Sequence, residues 1–140
     1  MAINFKEINL EIIDISTNAS PDIYINAYGI TFSKRILEDL NYPQYVQYCM
    51  DAEHRVFAIR VCKGTEAKAT PFSKPRGEHN GTLSSNNKNM HDTVCRLISE
   101  YSPKNRYKVT GYLDAENRTL YFDMTEAEVS TFRAPANESK

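Results

Sequence analysis

The stretch DAENRTLYF, residues 114 to 122, repeats a phrase the chain has already used, because DAEHRVFAI stands at 51 to 59, sixty-three positions earlier. Around the first copy QYVQYCM and RVFAIRV flank the turn DAEH; around the second YKVTGYL and RTLYFDM flank DAEN. Each copy reads as a β-hairpin, with Asp51 or Asp114 opening the turn because a short carboxylate accepts backbone N–H groups locally. Facing Met50 with Arg55 sets Val46 opposite Ile59 and Tyr48 opposite Phe57. The same rule sets Val109 opposite Phe122 and Gly111 opposite Leu120. The apolar face then falls on one parity in both copies, and a slip of a single residue would exchange the faces. The other face of the second hairpin, with Lys108 across from Asp123 and with Thr110, Tyr112, Thr119 and Tyr121, is expected to meet water.

A short helix is expected before each hairpin. In SKRILEDLNYP, Ser33 is placed to cap, Ile36, Leu37 and Leu40 share a face, and Pro43 blocks continuation. In NMHDTVCRLISEYSP, Asn89 is placed to cap, Val94, Leu97, Ile98 and Tyr101 recur at helical spacing, and Pro103 closes the segment. The sequel recurs too, as TEAKA at 65 to 69 and TEAEV at 125 to 129. Thr125 and Glu128 have the spacing of a capping box, which predicts a last helix with Val129 and Phe132 inward, whereas Pro71 stops its first counterpart early.

One helix and one hairpin carry too little apolar area to be stable alone, so the two units are expected to cover each other. The fold class read from the sequence is therefore α+β: tandem helix plus β-hairpin units packed as a pseudo-twofold single domain over 1–140. The repeats span 30–62 and 92–124, with a long basic loop at 63–88 and a C-terminal tail at 134–140. Two segments stand outside them. DIYINAYGITFS reads as a strand through Ile23, Ile25 and Ala27 that turns at Gly29, and INLEIID alternates at Ile8, Leu10 and Ile12 but is also compatible with a helix.

The 140 residues suit one core, and 41% hydrophobic with 25% charged residues is the composition of an ordinary globular protein. No apolar run approaches the roughly 20 residues of a membrane-spanning helix. Lys6, Glu7 and Glu11 interrupt the first apolar positions, unlike a signal peptide. Cys49, Cys62 and Cys95 lack C-x-x-C spacing and read as reduced, buried thiols, which sets the expectation of a cytoplasmic protein. Net charge is -1, but residues 1–53 carry three Lys or Arg against eight Asp or Glu, while residues 60–91 carry six against two. A polyanion contact is therefore sought in the middle of the chain.

No catalytic motif is present, so no catalytic residue, no metal site and no cofactor is assigned. His54, His79 and His91 are scattered; Asp51/Glu53 and Asp114/Glu116 offer oxygen ligands in principle, but acidic residues at a hairpin tip are ordinary turn formers. In KGTEAKATPFSKPRGEHNG, Lys63, Lys68, Lys74 and Arg76 surround Phe72, a combination that suits a nucleic-acid backbone with one base stacked on the ring, or simply a solvated loop. Arg55 and Arg118 follow the two turns and would project as a related pair toward a two-fold symmetric duplex, or keep the hairpin ends soluble.

From Gly29 to Val61 the sequence GITFSKRILEDLNYPQYVQYCMDAEHRVFAIRV resembles the SpoVT/AbrB-type swapped-hairpin unit: a short strand like G-x-I-x-I-P, a short helix ending in Leu, a turn and a hairpin. Residues 92–124 resemble it more faintly. The resemblance implies DNA-binding regulators or antitoxins that act as dimers, and a tandem copy would make a one-chain pseudo-dimer. The related MraZ family carries D-x-x-x-R, matched in spacing by Asp51/Arg55 and Asp114/Arg118. The functional expectation is a non-catalytic cytosolic regulatory or binding module, with AbrB-like DNA binding as its sharpest form. The alternative is a protein-interaction module, and a small enzyme is third. Partners are DNA or another protein, with no membrane, and the oligomeric state stays open.

Overall fold

Alternation of apolar and polar side chains folds Tyr45–Asp51 (β3) against Val56–Cys62 (β4), and Asn105–Asp114 (β7) against Thr119–Asp123 (β8), in the computed structural model. The structure describes residues 4–12, 20–78 and 82–131. Before the first hairpin come Asp22–Asn26 (β1), Gly29–Phe32 (β2) and the helix Lys34–Asp39 (α1). Thr70–Pro71 (β5), Leu83–Ser85 (β6) and the helix Lys88–Arg96 (α2) separate the hairpins, and Glu128–Thr131 (β9) follows the second.

Register differs from expectation by two residues in both hairpins. Val46 lies opposite Val61, Tyr48 opposite Ile59 and Met50 opposite Phe57, while Gly111 faces Phe122 and Leu113 faces Leu120. The cause is the turn. Asp51 and Asp114 remain on their strands, and Arg55 and Arg118 take the left-handed backbone conformation, at φ 56 and φ 47, that closes each connection. A two-residue shift preserves parity. Val46, Phe57, Ile59, Val109, Leu120 and Phe122 are accordingly all buried. Lys108 does not face Asp123; it lies between Tyr24 and Glu128 on the neighbouring strands. Thr119, expected in water, is buried.

The expected α+β class of tandem helix plus hairpin units is corrected. Among the described residues the molecule is mostly antiparallel sheet, nine strands curled into a half-barrel with two short α-helices. Hairpins present unpaired backbone groups along their outer strands, and here those edges meet: β4 pairs with β8, setting Phe57 opposite Phe122 and Ile59 opposite Leu120. The order is β5-β3-β4-β8-β7-β1-β2-β6, with β9 also on β7. Five strands thus come from segments outside the hairpins. β1 and β2 form a tight hairpin of their own, its turn at Ala27 and Tyr28, where the sequence carries the strand through Ala27 and turns it at Gly29.

The expected last helix does not form. Asp123, not Thr125, caps a single 3-10 turn at Met124–Glu126, and the chain then extends as β9 along Asn105–Lys108. Val129 is 58% exposed, and Phe132 lies outside the described residues. The ten-residue β7 therefore serves β9 with its first half and β8 with its second, and β1 along its other edge. Gly111 allows the crossover, since a Cβ there would lie 2.8 Å from the Phe122 ring.

The helix starts also differ in detail. Asn87, not Asn89, caps α2, accepting from the Met90 N–H. Ser33 occupies the cap position of α1 but its hydroxyl is engaged elsewhere: it accepts from the Asp22 N–H and donates to the Ser20 carbonyl, tying the start of β1 to the start of α1. Ile36, Leu37, Val94 and Leu97 still turn inward onto the sheet. No helix among the described residues is long and apolar enough to cross a membrane.

If the Phe57–Phe122 contact, at 6.0 Å between ring centroids, holds the join, then Phe122→Ala lowers unfolding free energy by about 3–5 kcal/mol. Gly111→Val produces a loss as well, whereas Val129→Ala leaves the urea midpoint almost unmoved.

Candidate functional site

The two turn arginines are not a projecting pair. Arg55 Nη1 donates to the Leu97 carbonyl at 3.3 Å, and Arg118 Nη2 donates to the Leu40 carbonyl at 2.7 Å. Leu97 and Leu40 are the C-caps of α2 and α1, where carbonyls lack helical partners and carry the negative end of the helix dipole. Each guanidinium thus closes the helix that precedes the other hairpin. The backbone repeats the exchange, with Val61 N–H on the Arg118 carbonyl and Met124 N–H on the Arg55 carbonyl.

In the basic segment Lys63, Lys68 and Lys74 are exposed, and Arg76 opens a 3-10 turn at Arg76–Glu78. Phe72 is not available to stack a base: it is 8% exposed, edge-on to Phe32 at 5.5 Å and to Tyr48 at 6.4 Å. Backbone bonds seat it. Phe72 N–H donates to the Gln44 carbonyl, Ser73 N–H to the Pro43 carbonyl, and the Gln47 side chain to the Ala67 carbonyl. The segment read as a loop instead supplies both terminal strands of the sheet path, β5 and β6.

Between those strands the half-barrel is open. A cavity of about 270 Å³ lies there, bounded by Thr70 and Pro71 of β5 and by Leu83, Ser84 and Ser85 of β6. Its floor is Phe32, Tyr48 and Phe72, with Met90 of α2 beside them. Gly29 lets β6 approach, since a Cβ there would collide with the Ser85 carbonyl. A second hollow of about 400 Å³, sharing Tyr48 and Met90 with the first, lies between α2 and the first hairpin and is lined by Met50, Phe57, Lys68 and Thr93 among others. Strand edges with unpaired backbone groups, an aromatic floor and flexible methionines at the side are the features of a surface that receives extended chain. Burial pushes the Tyr48 phenol up to about 12, so it stays neutral at physiological pH.

The titratable clusters have other work. His91 Nε2 lies 2.6 Å from the Asn26 carbonyl and 3.5 Å from Cys95 Sγ. A carbonyl only accepts, so Nε2 carries its proton and holds α2 to the β1–β2 turn rather than serving as a base for the thiol. Burial pushes the Cys95 thiol up, away from the reactive thiolate. The Tyr101 hydroxyl beside it is buried without a well-aligned partner, and burial raises it as well. Asp51 accepts from the backbone and ring of His54, whose hydrogen bond holds its carboxyl below the usual range; Asp114 accepts from both nitrogens of Asn117. Among the described residues no three His, Cys, Asp or Glu side chains gather as a metal site. His79 lies outside the described residues.

Sequence reading missed the seam because Thr70–Pro71 and Leu83–Ser85 are too short to show a period. One signal was present: Phe72 and Leu83, the only large apolar residues of that link, mark where it is anchored. No family model, curated protein or solved structure matches this chain.

Two outcomes follow from this geometry. Arg118→Met removes a charged donor from the Leu40 carbonyl and lowers stability by about 1–3 kcal/mol in urea titrations. Arg118→Gly, which relieves the left-handed backbone, recovers part of that loss. The alkaline limb behaves as a raised phenol requires. With the folded value above the ordinary 10.0, the stabilising contribution of neutral Tyr48 is whole below pH 10 and is lost as pH rises toward 12. Tyr48→Phe flattens the fall in stability across that window.

Proposed function

We propose that the protein is a protein-interaction module, acting by binding rather than turnover, that takes an extended segment of another polypeptide into the open seam between β5 and β6. The observation that carries this reading is the pairing of two uncompleted strand edges with one aromatic floor. An inserted strand would satisfy backbone groups along β6, and the Pro71 carbonyl on the β5 side, which offers no N–H, while its alternate side chains enter the Phe32, Tyr48 and Phe72 floor. The charge around the seam selects the chemistry of the guest. Lys68 lines the adjoining hollow, so acidic side chains flanking the apolar ones are favoured, whereas Lys88 at the start of α2 is paired with Asp92 at 3.1 Å. Tyr48, neutral across the physiological range, keeps a hydroxyl donor at the floor.

The regulatory, DNA-binding reading draws support from exposed Lys63, Lys68 and Lys74, whose charge stands in a segment of opposite sign to the acidic N-terminal half. It draws none from Phe72, which is buried, or from Arg55 and Arg118, which bond to helix-end carbonyls. The interaction reading is therefore preferred.

Fluorescence polarisation with labelled decapeptides that alternate Leu and Ser between Glu-rich ends provides the test. Binding to the intact chain is expected, with loss on scrambling and about tenfold weaker affinity for Met90→Lys, a factor equivalent to 1.4 kcal/mol. Retention on duplex DNA that falls steeply with salt, with no peptide binding, would favour the other reading.

A further inference from the structure

The chain carries its own candidate guest. Ile8, Leu10 and Ile12 recur at alternate positions and are 44%, 87% and 99% exposed, a row of large aliphatic side chains held in water. Glu7 and Glu11 lie among them, and both are exposed. This is the sequence chemistry that the seam selects: period-two apolar residues with carboxylates between and beside them. In an extended conformation Ile8–Ile12 spans about 13 Å, the length of five paired residues along a sheet edge. Along the β6 side of the cavity Leu83–Ser85 offers three of those positions, and the rest of the segment would lie over the aromatic floor.

We infer that the seam of one molecule is filled by residues 8–12 of a second copy, and that the protein self-associates by reciprocal exchange of this segment. The inference rests on the reading of the seam as a site for extended chain. In the single chain both complementary surfaces are uncovered at once. The segment stands in solvent, and the cavity between β5 and β6 is open. Their charges are opposite, with Glu7 and Glu11 on the segment and Lys68 lining the hollow beside the seam. An exchange in which each copy donates and receives closes as a twofold pair and leaves no unfilled seam to propagate. Inserted between the edges, the alternating side chains of Ile8, Leu10 and Ile12 would lie over Phe32, Tyr48 and Phe72, while Asn9 and Glu11 would face outward.

The experiment places p-benzoylphenylalanine at position 10 of the full chain and mixes equal amounts of isotopically heavy and light protein before irradiation. Cross-links are expected from position 10 of one copy to residues 70–71 or 83–90 of the other, in heavy–light pairs. Light scattering is expected to report a concentration-dependent dimer that Leu10→Asp and Ile12→Asp each weaken by about tenfold or more, with circular dichroism unchanged. Cross-links confined to one chain, self-association indifferent to both substitutions, or a monomer at every concentration would overturn the inference. The decapeptide assay separates the two levels. Peptide binding at the seam together with any of those results defeats the exchange alone, while failure of both peptide and segment to reach the seam defeats the site as well.

Discussion

The pairing of β4 with β8 is the constraint on which the rest of the molecule depends. A two-stranded hairpin satisfies half of its backbone groups and buries one face at best. Joining the inner strands of two hairpins edge to edge makes a four-stranded sheet whose apolar side is continuous, with Phe57 against Phe122 and Ile59 against Leu120. The join also fixes where the two turns go. Arg55 and Arg118 are carried to opposite ends of the paired strands, and each meets the end of the helix that precedes the other hairpin. The reciprocal backbone bonds of Val61 and Met124 extend the same register beyond the paired strands.

From that centre the sheet grows outward and bends. On one side β3 takes up β5; on the other β7 takes up β1, β2 and finally β6. Twist in so long a row brings the two ends toward each other, and the rings of Phe32, Tyr48 and Phe72 span the gap between them. The strands at the ends are only two and three residues long. They are long enough to define edges and too short to close the barrel by pairing. The opening is thus a consequence of strand length, and function is sought where the sheet remains incomplete.

Much of the centre was legible in the sequence, and little of the periphery was. Parity in Val46, Phe57 and Ile59 and in Val109, Leu120 and Phe122 follows from alternation, which survives an error of two residues in register. The turn itself was misplaced because Arg is a poor signal for a left-handed residue, although Arg55 and Arg118 both adopt that conformation. The fold class was misjudged because Thr125 and Glu128 have the spacing of a helix start, whereas the exposed edge of Asn105–Lys108 draws the chain into a strand. Local pattern lost to a long-range backbone partner. The same limit hides the candidate site: the lysines around Phe72 suggest a ring free to stack, and nothing local to it announces Phe32 and Tyr48, forty and twenty-four positions away.

The bonds from Val61 to Arg118 and from Met124 to Arg55 determine the alternation along the join, so Ala58 and Tyr121 occupy a position without paired backbone bonds, where opposed Cα atoms lie about 4.5 Å apart. That makes one measurement decisive. A nuclear Overhauser effect between the Hα protons of Ala58 and Tyr121 is predicted to be strong in the intact chain. Its absence, with each hairpin showing cross-strand contacts only within itself, would contradict the edge-to-edge join and with it the curled sheet and its seam.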